Sequence, residues 1–231
     1  RCLPPAPDPI APMSAADFLL SPSVQKLLQV LYGNPEEPFT TNELAQKTKL
    51  DAAEVEGTLA HLVGSGMLSR HAAKEELPET FTLDRGFVFH RELRRIALKS
   101  FAAAEPVRAM LRARFKDSVV RAFVLGEDAN GIVEVLVVHG AVTPDEAAMT
   151  AACRKLSKAI HRHLQVHVIS NARFEGLAPR DALAAKLGAE TAFEIIAPGD
   201  TKARLKPERA GLLHSAKKTL AALSRSARRG E

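Results

Sequence analysis

Two helix-start devices in quick succession constrain this chain more than any other feature in it. In Thr40-Thr41-Asn42-Glu43 the Thr40 hydroxyl can accept the amide of Glu43 while the Glu43 carboxylate reaches back to the amide of Thr40, which is a capping box. Leu50-Asp51-Ala52-Ala53-Glu54 repeats the device, with Asp51 as cap and Glu54 at the third helical position. A chain that must start a helix at both places can make only short helices joined by a tight turn. The first is expected to turn Leu44 and Ala45 inward, and the second to run to Val63 and stop at Gly64-Ser65-Gly66. Upstream, Pro22 to Tyr32 puts Val24, Leu27, Leu28 and Leu31 on one stripe, with Ser21 as cap, Pro22 at the first helical position and Gly33-Asn34-Pro35 as the stop.

Three short helices with a tight turn between the second and third make a helix-turn-helix arrangement. Met67-Leu68-Ser69-Arg70 then reads as a strand, Ala73 to Pro78 as a turn, and Thr80-Phe81-Thr82-Leu83 as the returning strand, which adds a wing. The competing reading is a small helical bundle with a stray hairpin; cap, turn and hairpin together favour a winged helix-turn-helix domain over 13–86.

A bridging helix of about Phe87–Phe101, within a linker at 87–104, leads to a second unit. Glu105–Phe115 is helical, with Val107, Met110 and Leu111 on one face. The runs Val119–Leu125 and Ile132–Val138 are β-branched, short and bounded by Gly or Asp, as in buried strands. Thr143 is expected to cap a long helix, Pro144–Leu164, with Glu146 at its third position; Gln165–Ser170 is a third strand, Arg180–Leu187 a short helix and Ala192–Ile196 a fourth strand. The expected fold class is α+β / α/β: an N-terminal winged helix-turn-helix, a small α/β domain at 105–200, and a basic helical tail at 201–231.

Hydrophobic residues make up 46% and charged residues 26%, proportions that exclude a fibrous or wholly disordered chain. No apolar run approaches the roughly 18 residues of a membrane span, so a soluble protein with no membrane partner is expected. Cys2 and Cys153 are the only cysteines and share no paired spacing, which fits a reducing cytoplasm. The leader at 1–12 is proline-rich and is expected to be disordered or cloning-derived, with Met13 as the natural start. Charge is unevenly placed: residues 1–150 carry 16 basic and 20 acidic side chains, residues 151–231 carry 16 and 7. The positive field therefore belongs to the C-terminal end.

The bridging helix from Arg91-Glu92-Leu93, the run Arg121-Ala122-Phe123-Val124-Leu125-Gly126 leading into a loop, and Glu134-Val135-Leu136-Val137-Val138 as the next strand form an order of elements through Ile196. That order resembles bacterial and archaeal regulators that fuse a winged helix to a minimal nucleotidyltransferase-like domain, and the resemblance covers most of 20–200. Active members of that family place Gly-Ser after the first strand to grip nucleotide phosphates and Asp-x-Asp on the second to hold Mg²⁺. Here Gly126 is followed by Glu127, an anion where phosphate would sit. Ile132 stands at the first carboxylate position, only Glu134 keeps an acid at the second, and the segment Glu127 to Gly131 is short for the usual loop. The third strand offers Gln165-Val166-His167-Val168 where a third carboxylate belongs. A lone Glu134 cannot assemble a two-metal site, so the resemblance implies a degenerate transferase fold with no catalytic residue, metal or cofactor.

Other constellations are weaker. His161 and His163 lie at an expected helix end at a spacing that shares no face, which disfavours a metal site with His167; His167 sits inside the fold or on a pocket wall. No Gly-x-Ser-x-Gly elbow or phosphate-cradling glycine loop is present.

The leading expectation is a cytoplasmic DNA-binding regulator whose second domain serves as scaffold, dimer contact or ligand sensor. The helix after Asp51 should read the duplex, with Thr58 and His61 for base edges, but it carries Glu54 and Glu56 and no Lys or Arg. Grip must then come from its flanks: Thr41, Asn42, Lys47 and Lys49 before it, and Arg70, His71 and Lys74 on the wing, opposed there by Glu75, Glu76 and Glu79. Lys217 and Lys218, with Arg225, Arg228 and Arg229, give the tail a separate phosphate-binding surface, and Leu213, Leu220 and Leu223 an apolar seam. Double-stranded DNA and a second copy of the chain are the expected partners, since one short helix reads few base pairs. The alternative is a protein-interaction module with an acidic winged helix and a basic tail acting in a larger assembly. The third reading is an active nucleotidyltransferase, against which the missing carboxylates stand.

Overall fold

Ser21, Thr40 and Asp51 each accept a backbone amide from the third residue beyond, and these bonds start α1 (Pro22–Gly33), α2 (Thr41–Thr48) and α3 (Ala52–Gly64). The capping box at Thr40 is complete, its own amide donating to Glu43 Oε2 at 2.8 Å. The structure is a computed structural model that describes residues 14–74, 77–128 and 130–205. The leader at 1–12 and the tail lysines Lys217 and Lys218 lie outside the described residues.

α2 ends at Lys49 in the left-handed region, φ 58°, and the turn there swings α3 across α1 and α2. Strands β1 (Leu68–His71) and β2 (Thr80–Leu83) pair antiparallel from Leu68 opposite Leu83 to His71 opposite Thr80. Phe39 and Phe81 exchange backbone bonds of 3.0 and 2.8 Å, which ties the segment before α2 to the hairpin. One apolar core joins these elements, built on Leu27, Leu28, Leu31, Leu44, Leu59 and Leu62.

α4 (His90–Lys99) and α5 (Ala104–Arg114) lead into a four-stranded sheet of β3 (Val119–Glu127), β4 (Ile132–His139), β5 (His163–Ser170) and β6 (Phe193–Ile196), ordered β5-β4-β3-β6. β4 and β5 are parallel, joined by the crossover helix α6 (Glu146–Ile160); the other pairs are antiparallel. Val133, Val135 and Val137 face α5 and α6 with Leu111 and Met149, whereas Leu136 and Val138 face Phe174, Leu183 and Leu187. Phe174 belongs to α7 (Asn171–Glu175), and Leu183 and Leu187 to α8 (Ala182–Leu187). Cover on both faces is why the central strands are continuous apolar runs. The described residues form a mixed α+β protein with two sheets.

The long helix differs from its expectation. Its cap is Asp145, whose carboxylate accepts the Ala148 amide at 3.1 Å, not Thr143. It stops at Ile160 because His161 turns left-handed, φ 54°, so His163 and Leu164 belong to β5. The bridging helix is likewise shorter, at His90–Lys99, and α7 had no counterpart in the sequence reading. Residues 201–204, counted there with the tail, lie against the sheet: Thr201 Oγ1 donates to the Val119 carbonyl at 2.5 Å and the Ala141 amide to the Arg204 carbonyl at 2.8 Å.

Candidate functional site

α3 buries Val55, Leu59 and Leu62 and turns Ala52, Ala53, Glu56, Gly57, Ala60 and His61 outward. Among the described residues nothing beyond the helix itself and the adjacent residues lies within 4 Å of where a Cβ would stand on Gly57 or Gly64, so this face is narrow as well as free. Its acids differ in their freedom. Asp51 is spent on the cap and Glu54 accepts the Ser23 hydroxyl, while Glu56 projects from the exposed face.

The residues expected to read or grip a duplex separate in the same way. Thr58 is half-buried and donates its hydroxyl to the Glu54 carbonyl at 2.7 Å, which leaves the oxygen lone pairs and the methyl group for any contact outside the helix. His61 and Asn42 are exposed, and Thr41 is half-buried at the start of α2. Lys47 lies 5.6 Å from the Phe39 ring centroid and Lys49 is exposed at the α2–α3 turn. On the hairpin Lys74 is exposed and His71 Nε2 lies 2.9 Å from Thr82 Oγ1. Arg70 is not a free cation: it binds Glu79 across the hairpin at 2.6 Å. Residues 13–86 hold six Lys and Arg against eleven Asp and Glu, so every cation here works against a negative surround.

The second place of interest is the end of β3. Gly126 has φ 134° and a Cβ there would meet Thr191 Oγ1 at 2.9 Å; Thr191 itself donates to the Leu125 carbonyl at 3.0 Å. Glu127 does not project into an open phosphate cradle. It is clamped by Arg94 of α4, whose Nε donates to Oε2 at 2.9 Å, and by Arg162, whose Nη1 donates to Oε1. The Arg162 side chain is 0% exposed and Glu127 7%, and the Nε and Nη2 of Arg162 have no partner among the described residues. Burial pulls the Arg162 guanidinium below its usual range, and the Glu127 charge pulls the other way. Tyr32 lies beside both arginines; burial pushes its hydroxyl up to about 12 against their field.

Glu134 is also committed. Lys186 of α8 donates to both its oxygens, at 2.7 and 2.5 Å, and His167 Nε2 stands 3.9 Å away. Among the described residues no three His, Cys, Asp or Glu side chains are grouped to hold a metal. His163 is exposed on β5, His161 closes α6, and His167 is half-buried on the α7–α8 side of the sheet.

Arg94, Arg162 and Lys186 were invisible as functional partners in the sequence, because their carboxylates lie 33, 35 and 52 residues away. Compared with protein families, with curated proteins and with solved structures, the chain matches none.

Proposed function

We propose that the chain is a DNA-binding transcription regulator: a winged helix-turn-helix joined through α4 to a nucleotidyltransferase-like domain that has no catalytic role and acts as scaffold, dimer contact or sensor. The observation that carries this reading is the free face of α3. A capped helix with small outward residues, set on a tight turn and flanked by a hairpin, has the profile that enters a major groove. Thr58 and His61 of α3, with Asn42 of α2, are the base-reading residues, and Lys47, Lys49 and Lys74 hold phosphates, joined by Arg70 when Glu79 releases it. The silent second domain is supported by its carboxylates: Glu127 and Glu134 are both bound by cations, which leaves no free acid on β3 or β4 for Mg²⁺. The regulator works in the cytoplasm as a homodimer, because one helix spans too few base pairs for tight specific binding.

Fluorescence anisotropy with labelled duplex tests this. Binding should fall steeply with salt and weaken when Arg70 and Lys74 become Ala; binding that ignores salt, or none at low salt, overturns it. The excess of acid over base in 13–86 favours a second reading, in which the α3 face meets a basic protein. Partners that survive nuclease treatment in a pull-down would support that reading instead.

A further inference from the structure

The sheet has two edges, and they are treated differently. β6 is four residues long and its pairing with β3 is broken by a register shift. β5 is eight residues long and matches β4 without interruption from His163 opposite Ile132 to Ser170 opposite His139. Its sequence, His-Leu-Gln-Val-His-Val-Ile-Ser, contains no Pro, Lys, Asp or Glu. Long, flat edges are normally blunted by prolines, charges or bulges, because their unpaired amides and carbonyls invite another strand. This one carries none of those devices, and among the described residues only at its start is an amide already taken, that of Leu164 by Ser157 Oγ at 3.1 Å.

Beside the edge, between β5 and α6, runs an open groove of about 700 Å³. Its floor is apolar, made by Met149, Cys153, Leu164, Val166 and Val168, with Val168 still 38% exposed. Along its rim stand Arg154 and Lys158 of α6 and His163 of β5; among the described residues neither Arg154 nor Lys158 pairs with a carboxylate. Glu146 lies at the other end of the groove. An edge that offers a backbone ladder, a trough for alternate side chains and a cationic border is what strand addition requires.

We propose that β5 and its groove form a docking strip for an extended segment of another protein, with apolar residues at alternate positions and carboxylates opposite Arg154 and Lys158. A second copy of this chain joined edge to edge would bring the two cationic rims together. The chain's own C-terminal segment fits no better, since residues 206–231 hold seven Lys and Arg against two Glu. Charge therefore selects an acidic partner, and the backbone ladder selects an extended one.

The test uses the full chain and a short labelled peptide of alternating Val and Thr with two Glu at one end, to lie by Arg154 and Lys158. It should bind, and Val168→Lys, which blunts the edge at an exposed position, should weaken it about tenfold or more. Arg154→Glu with Lys158→Glu should lose this peptide and gain a version with Lys in place of those Glu. Of two versions N-methylated at alternate residues, one in each phase, one should fail, because only one edge of the added strand faces β5. Full binding by both methylated versions, no preference between Glu and Lys ends, indifference to Val168→Lys, or no binding at all overturns the proposal. So does sedimentation showing a dimer that Val168→Lys dissociates, which would give the edge to a second copy.

Discussion

Glu127 sits between two guanidinium groups in a place that water barely reaches, and one carboxylate there balances two cations. Removing one member of a buried ion pair leaves an uncompensated charge and typically costs about 3–5 kcal/mol. Glu127→Gln is expected to lower the unfolding free energy by about 3 kcal/mol in urea titration. Adding Arg162→Met should cost less than the sum of the single changes, because the two residues act as one unit. Two histidines set a pH dependence at the same scale. Burial, with Arg94 and Arg85 nearby, lowers the pKa of His90, and burial with Lys47 nearby lowers that of His161. A histidine held below its unfolded value of about 6.5 binds fewer protons folded than unfolded. Its contribution is therefore present above that value and lost as pH falls toward the folded pKa. The urea midpoint should drop as pH falls through and below about 6.5. It should drop less in a His90→Gln, His161→Asn variant, Asn being chosen because it tolerates the left-handed backbone at that position.

At the scale of elements the caps carry the test. Asp145 receives the Ala148 amide, and Thr143 has no bond of that kind among the described residues. Asp145→Ala should cost about 1 kcal/mol and Thr143→Ala close to nothing, read from urea midpoints of the two variants. Thr143-Pro144-Asp145-Glu146 offers two residues able to cap, and local chemistry cannot rank them. The structure ranks them by where the chain turns after β4 ends at His139 and Gly140 passes the Arg204 carbonyl, a place where a Cβ would come within 2.2 Å. The helix therefore begins later than its first possible cap. Its end is equally non-local, since the parallel register of His163 and Leu164 with Ile132 and Val133 claims those residues for the sheet. The starts of α1, α2 and α3 were legible because each cap and its amide lie three residues apart. The central strands were legible because burial on both faces writes itself as unbroken Val and Leu. The state of the candidate site was not, because exposure and ion pairing decide it: the Thr58 hydroxyl reads as unbonded until it is seen on the Glu54 carbonyl, and Arg70 as a free cation until Glu79 is seen beside it.

For the whole molecule the question is which way its uneven charge faces. Residues 13–86 are acidic while the remainder supplies the excess of base, so a duplex on α3 meets a local field that opposes it. Glu56 is the acid best placed to tell a duplex from a protein partner, being exposed on α3 and, among the described residues, bound to nothing. If α3 lies in a groove, this carboxylate faces phosphate, and Glu56→Lys exchanges a repulsion for a contact. Duplex affinity at low salt should then rise by about fivefold or more, and the slope of log affinity against log salt should steepen by about one. If α3 instead meets a basic protein, the same change removes an attraction, so affinity for that partner falls while duplex affinity stays where it was. Anisotropy titrations across a salt series measure both quantities. A slope that does not move would place α3 away from the phosphates and pass the acidic face to a protein.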